Sequence, residues 1–176
     1  MRLHRTPLPG VFRIELEPKA DARGTFLRTV CRDFLRSQGL VADFPQSNLV
    51  CNGARGVLRG LHFQRPPHAE VKLVHCLTGA IHDVVVDLRR EQPTYGTHLA
   101  LELSAERPEV LYVPEGCAHG YQTLAADVLV YYHMSEPYQP GAEGLVRYDD
   151  PHLGIAWPVP TPTVSPRDRD GAPYAW

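Results

Sequence analysis

No stretch of this chain approaches the roughly 20 consecutive apolar residues that a spanning helix needs, and the opening segment, Met1 to Gly10, lacks the apolar core of a secretory signal. The expectation is therefore no membrane partner and a cytoplasmic location. A surplus of positive charge is missing too: 18 Lys and Arg stand against 20 Asp and Glu, for a formal charge of -2. Duplex DNA or RNA binding rests on basic side chains facing phosphates, so no nucleic-acid partner is expected, and any phosphate bound is small and local. Cysteine is scarce and scattered. Cys31, Cys51, Cys76 and Cys117 never reach C-x-x-C spacing, which indicates neither a zinc knuckle nor a redox pair. They read as reduced, mostly buried thiols. Internal repeats, low-complexity blocks and a domain boundary are also absent. With 176 residues, 43% of them hydrophobic and 22% charged, the chain reads as one compact domain over 1–176.

Helix has little room. Fourteen glycines and seventeen prolines exceed the roughly 12% of average usage and imply many turns. Between the turns lie short runs rich in β-branched and aromatic residues: Val11 to Leu16, Thr25 to Val30, Val71 to Leu77, Ala80 to Leu88, His98 to Leu103, Val110 to Val113 and Val128 to Met134. Many short strands with Gly/Pro punctuation and no βαβ units make an all-β sandwich or barrel. One exception is Cys31 to Gln38, which places Phe34 and Leu35 among polar residues and stops at Gly39, the pattern of a short peripheral helix. After Pro151 the proline-rich Trp157-Pro-Val-Pro-Thr-Pro-Thr cannot pair as a central strand and should run over the barrel.

The densest polar segment is Gly56-Val-Leu-Arg-Gly-Leu-His-Phe-Gln, followed by Glu70-Val-Lys-Leu-Val. Strict strand alternation places Leu58, Gly60, His62 and Gln64 on one face and Arg59, Leu61 and Phe63 on the other. Lys72 shares a side with Glu70. Its neighbours Val71, Leu73 and Val74 suggest a buried strand, where a lysine is rare unless paired or functional, although a surface lysine with a buried stem fits the same letters. A second cluster, Val113-Pro-Glu-Gly-Cys-Ala-His-Gly-Tyr-Gln, flanks His119 with Gly116 and Gly120, glycines that would turn the backbone sharply at a barrel mouth. His62 and His119 stand out for this Gly-rich context, with a hydrogen-bonded core pair as the plain alternative. The other seven histidines read as surface or core residues.

These segments resemble the nucleotide-sugar 3,5-epimerases of the dTDP-4-dehydrorhamnose type. The resemblance is carried, in order and nearly without gaps from about residue 10 to 170, by Asp21-Ala-Arg-Gly-Thr-Phe, Gln46-Ser-Asn, Gly56-Val-Leu-Arg-Gly-Leu-His-Phe-Gln, Lys72-Leu-Val, Gly79-Ala-Ile-His-Asp-Val-Val-Val-Asp-Leu-Arg, Pro93-Thr-Tyr-Gly, Pro114-Glu-Gly-Cys-Ala-His-Gly-Tyr, Asp149-Asp-Pro, Trp157-Pro and Ser165-Pro-Arg-Asp. It implies a cupin-type jelly-roll barrel with short peripheral helices, which agrees with the strand count, and a cofactor-free, metal-free inversion of C3 and C5 in a 4-keto-6-deoxy nucleotide sugar. Hydrogens flanking a carbonyl are acidic, so inversion needs a base on one face and an acid on the other.

The resemblance also implies roles for particular side chains. His62 would be the base, and a group titrating near 6.5 suits proton abstraction at neutral pH. Asp168 would orient it and stabilise the imidazolium, as the third member of a triad does. Lys72, with His119 nearby, would stabilise the enolate at the C4 oxygen, a contribution of roughly 3 to 4 kcal/mol for a positioned donor. Tyr132 would return a proton from the opposite face, placed by its register six residues before Tyr138; Tyr131 must then face away. Diphosphate and base recognition would fall to Arg59 and Arg23 with Gln46 and Asn48, and Glu143 and Arg167 match further positions beside the nucleotide. Arg23 and Phe26 resemble residues lent across a homodimer.

Several departures bear on the substrate. Arg28 stands where such enzymes carry Glu, and an arginine cannot accept a base N–H, so CDP- or GDP-linked sugars are alternatives to dTDP. Single-centre epimerisation is an alternative to double inversion because the outcome depends on how the ring sits between His62 and Tyr132. Val50 replaces Ser, Gln92 replaces Ser, and His133 and Arg167 replace Lys. Two readings compete with the epimerase. A metal-dependent cupin would use His62, His119 and Glu70, although Gln64 sits where a second histidine is usual and Lys72 adds a positive charge. A non-catalytic sugar-nucleotide binder would need the phosphate and base contacts but not an opposed acid and base.

Overall fold

The computed structural model describes residues 1–176. In chain order the elements are β1 (Arg2–Arg5), β2 (Phe12–Glu15), β3 (Lys19–Asp21), β4 (Gly24–Phe26), α1 (Arg32–Ser37), β5 (Gln46–Asn52), β6 (Val57–Gln64), β7 (Lys72–Thr78), β8 (Ala80–Asp87), β9 (His98–Ser104), β10 (Glu109–Val113), β11 (Cys117–Thr123), β12 (Val128–Met134), β13 (Glu143–Leu145), β14 (Thr163–Val164) and α2 (Pro166–Arg169). One six-stranded sheet runs β1-β2-β10-β7-β12-β5, a second runs β13-β6-β11-β8-β9 with β14 alongside β6, and β3 and β4 form a separate hairpin. All pairings are antiparallel except that of β14 with β6. No helix is long and apolar enough to cross a membrane.

Period-two alternation explains the layers. On β7 the residues Val74 and Cys76 point between the sheets, as do Val128 and Val130 on β12, and they meet Ile81 and Val85 of β8 and Cys117 and Tyr121 of β11 in the central core. A second cluster covers the outside of the first sheet: Ile14, Leu73, Val110 and Tyr112 pack under Leu35 of α1 and the chain around Ala42. The third lies outside the second sheet, where Leu61, Val84, Val86 and Ala118 are roofed by Leu153, Ile155, Trp157, Tyr174 and Trp176 of the C-terminal tail. Each fully buried Leu, Ile or Val contributes about 1.5 to 3 kcal/mol.

The tail runs over the barrel as its prolines require, and its backbone is tied down by Gln122, whose amide donates to Val159 O (2.9 Å) and accepts from Val159 N (2.9 Å). It also pairs where pairing was not expected, through β14, and it supplies α2. The expected helix is α1, with Gly39 just beyond it at φ +70°. The expected strand over Thr25 to Val30 ends at Phe26, because β4 has only β3 to pair with. Of the thiols, Cys76 and Cys117 are buried, Cys31 is half-buried and Cys51 is exposed on the edge strand β5, so "mostly buried" holds for only two of the four. Burial pushes the Cys76 thiol up to about 11 and that of Cys117 to about 12.

Strict alternation fails in β6. His119 of β11 faces His62 and Tyr121 faces Arg59, so three steps along β6 match two along β11. That is a bulge, and it turns Arg59 and His62 to the same side instead of opposite sides. Gly120 does not turn the chain at a barrel mouth as expected; it lies inside β11. A Cβ on Gly60, at φ +117°, would sit 2.7 Å from Gly120 Cα, and one on Gly120 would sit 2.6 Å from Arg59 O. Both obstacles are backbone. Gly60→Ala is therefore expected to lower stability by about 2 kcal/mol or more, roughly 4 °C and upward in Tm, by urea and thermal unfolding. Gly53→Ala, whose methyl would meet nothing within 4 Å, should stay within about 0.5 kcal/mol of the parent.

Candidate active site

Between the two sheets, beyond the apolar core, opens a cavity of about 590 Å³. Its wall from the first sheet consists of Gln46, Asn48 and Val50 of β5, Lys72 of β7 and Tyr132 and Met134 of β12; the second sheet supplies Arg59, His62, Phe63 and Gln64 of β6 and His119, Gly120 and Tyr121 of β11. Glu70, Tyr138, Glu143, Ser165, Arg167 and Asp168 complete it. The same alternation that fills the core puts these polar groups here. Lys72 occupies an inward position of β7 in series with Val74 and Cys76, and Tyr132 continues Val128 and Val130 on β12.

His62 Nε2 is hydrogen-bonded to Asp168 Oδ1 at 2.6 Å, joining strand β6 to helix α2 across 106 residues of sequence. The second carboxylate oxygen accepts from Gly60 N at 3.2 Å, and the Ser165 hydroxyl caps α2 by accepting from Asp168 N. Burial pushes the Asp168 carboxyl up, but the hydrogen bond and charge of His62, the Gly60 N–H and Ser165 outweigh it and hold the group below the ordinary carboxylate value. His119 forms a second such pair, with Nε2 2.9 Å from Asp83 Oδ2. Asp83 is fully buried on β8. The Lys72 ammonium donates to His62 O at 3.0 Å and pairs with Glu70 Oε1 at 2.9 Å, so it is a buried, paired lysine and not a surface one.

Tyr132 projects into the cavity. Burial raises its phenol above the ordinary value, Arg59 pulls against this and Glu70 adds to it, so the group stays protonated at neutral pH. Tyr131, on the other face of β12, packs edge-on against His133 at 4.8 Å between ring centres. Arg59 Nε donates to Asn52 Oδ1 at 2.9 Å, and Asn52 in turn contacts the Tyr121 hydroxyl, whose pKa burial pushes up to about 12. Gln46 and Asn48 share an amide hydrogen bond (3.1 Å), and Gln46 Oε1 accepts from Tyr138 N at 2.8 Å. Glu143 bonds to the Tyr138 hydroxyl and lies 3.8 Å from Arg167.

All five expected catalytic residues thus converge on one cavity, with five of the seven expected binding residues: Gln46, Asn48, Arg59, Glu143 and Arg167. Arg23 and Phe26 do not reach it. They sit on the exposed β3–β4 hairpin, where Arg23 pairs with Asp21 and Phe26 is 62% exposed. Sequence reasoning missed Asp83 and Asn52 and gave Glu70 only a hypothetical metal role. Asp83 lies within the motif after Gly79, but nothing in the letters says that it meets His119. For a metal, the donors are otherwise engaged: Glu70 by Lys72, His119 by Asp83 and His62 by Asp168, and no group of three or more His, Cys, Asp or Glu is placed to hold an ion.

Two facing sheets with an interior cavity make this a cupin-type jelly roll whose cavity gathers imidazole, carboxylate, ammonium and phenol groups, and its relatives make it an isomerase-type enzyme. Residues 5–175 match the family model of dTDP-4-dehydrorhamnose 3,5-epimerase. The chain belongs to that family. It is 39% identical over 175 residues to the dTDP-4-dehydrorhamnose 3,5-epimerase of Methanothermobacter thermautotrophicus, covering 98% of this chain and 94% of the relative. It is 40% identical over 171 residues to a dTDP-4-dehydrorhamnose 3-epimerase of Streptomyces niveus, covering 97% and 82%. The crystal structure of the Bacillus anthracis 3,5-epimerase, with TDP and PPi bound, superposes with a TM-score of 0.93 at 36% identity, covering 96% of each chain. These relatives support a role as an epimerase in deoxysugar biosynthesis.

The depressed Asp168 carboxyl has a consequence for stability. A carboxylate whose folded pKa lies below its unfolded value stabilises the fold above the ordinary value near 3.8, and the contribution is lost as the pH falls below it through the folded pKa. Urea midpoints followed from neutral pH down through this window should fall steeply for the parent and less steeply for Asp168→Asn.

Proposed function

We propose that this protein inverts C3 and C5 of a 4-keto-6-deoxy sugar carried on dTDP, in the manner of dTDP-4-dehydro-6-deoxyglucose becoming dTDP-4-dehydrorhamnose. The observation that carries this reading is the origin of the two proton-transfer groups. His62 comes from one sheet and Tyr132 from the other, so a sugar ring between them is met on opposite faces. His62, backed by Asp168, takes the proton from the carbon beside the carbonyl. The electron pair moves into an enolate, and negative charge collects on the C4 oxygen, for which Lys72 and His119 provide positive or hydrogen-bonding partners. Tyr132, held protonated, delivers its proton to the opposite face of the same carbon, and solvent restores both groups. The second centre repeats the cycle. Arg59 and Arg167, with Gln46, Asn48 and Glu143, line the same cavity and would receive the diphosphate and base. Nothing in these steps calls on a cofactor or metal.

The number of centres inverted depends on the seating of the ring to about 1 Å. Relatives of similar identity carry both names, 3,5-epimerase and 3-epimerase. Incubation with dTDP-4-keto-6-deoxyglucose in heavy water, followed by mass spectrometry of the recovered nucleotide, should show two deuteriums gained, with the rate reduced about 10²- to 10⁴-fold in His62→Ala. One deuterium would identify a single-centre enzyme. No His62-dependent gain would overturn the dTDP substrate and direct the test to CDP- and GDP-linked sugars, for which Arg28 is the reason.

The homodimer is the proposed working unit, with Arg23 and Phe26 of each protomer's exposed hairpin completing the partner's cavity. A two-fold pair exchanges such residues reciprocally. Arg23→Ala and His62→Ala variants, each impaired alone, should regain activity when mixed and allowed to exchange subunits; no recovery would remove the shared site.

A further inference from the structure

We infer that Glu70 is a positioning residue for the reaction: it holds Lys72 Nζ in place with one N–H donor left for the substrate oxygen. The inference rests on the enolate reading above. An ammonium has three N–H donors. In Lys72 one meets Glu70 Oε1 at 2.9 Å and one meets His62 O at 3.0 Å, and the side chain lines the cavity, so the third is available to a ligand there. Glu70 is itself fixed from the other side, since its Oε2 accepts from Gln64 N at 2.9 Å. The Glu70 side chain is only 3% exposed and that of Lys72 only 9%.

Other carboxylates near the cavity have partners of their own. Asp168 serves His62, Asp83 serves His119, and Glu143 lies beside Tyr138 and Arg167, which leaves Glu70 as the carboxylate bonded to Lys72. The carboxylate repels the developing enolate, yet without it the ammonium is not aimed at the substrate oxygen. Removing one member of a buried pair costs more than the pair is worth, because the other is left uncompensated.

A double-mutant cycle tests this. Deuterium incorporation and turnover of dTDP-4-keto-6-deoxyglucose would be compared for the parent, Glu70→Gln, Lys72→Met and the double variant. Glu70→Gln, which keeps the shape and an acceptor for Gln64 N, should lower kcat at least about tenfold while KM stays within about twofold, the signature of an interaction that matters in the transition state. In the Lys72→Met background the same change should have no further effect. Should Glu70→Gln fail to fold, Glu70→Asp carries the comparison, with a partial loss of kcat that again vanishes beside Lys72→Met. Parent-like turnover in Glu70→Gln, a rise in KM matching the fall in kcat, or losses that multiply in the double variant would each overturn the role of Glu70 alone. Absence of exchange in the parent would instead overturn the epimerase reading on which the role rests.

Discussion

Strands β6 and β11 meet where neither carries a side chain, and the geometry of the cavity follows from that contact. Gly60 and Gly120 lie back to back, with no room for a methyl on either. Their approach accommodates one extra residue in β6, and the extra residue resets the alternation. Leu61 goes outward into the cluster beneath the C-terminal tail, while Arg59 and His62 both turn inward. The N–H of Gly60 is released to Asp168 by the same distortion. One local irregularity therefore positions the base, helps to hold the carboxylate behind it and points the arginine suited to phosphate.

Around this contact the interior is organised as buried carboxylates, each in a close pair with an imidazole or an ammonium. His62 with Asp168, His119 with Asp83 and Lys72 with Glu70 are each within 3 Å, and each carboxylate is almost fully buried. Burying such groups is costly unless the pairing geometry is good and the leftover lone pairs are bonded. Here the leftovers are used: Gly60 N serves Asp168 and Gln64 N serves Glu70. The cavity consequently contains fixed dipoles and charges before any ligand enters, the condition under which charge developing in a reaction is stabilised without rearrangement.

The outer layers serve the same cavity from a distance. The C-terminal tail covers the second sheet with Trp157, Tyr174 and Trp176 and then delivers α2, whose Asp168 reaches back to β6. On the other side α1 and its neighbours seal the first sheet. The β3–β4 hairpin stands apart, extending Phe26 and Arg23 into solvent, and it is the element proposed to complete the cavity of a second protomer.

Much of this was legible in the letters. The Gly/Pro punctuation and short β-branched runs specify an all-β barrel, since local alternation and turn chemistry operate over a few residues. The helix before Gly39 and the apolar run around Lys72 are equally local signals. Residue context also singled out His62, Lys72 and His119, and the family resemblance added Tyr132 and Asp168. What the sequence could not determine was anything that depends on two strands meeting. Regular alternation puts Arg59 on the wrong face because a bulge is a property of a strand pair, which one strand alone cannot reveal. Asp83 and Asn52 carry no signal in the sequence because their partners, His119 and Arg59, become neighbours only through sheet registration. Composition and periodicity decide which elements form, because those preferences are local. Tertiary structure alone decides which polar groups share a cavity, because only the packing of the two sheets and the return of the tail bring together residues a hundred positions apart.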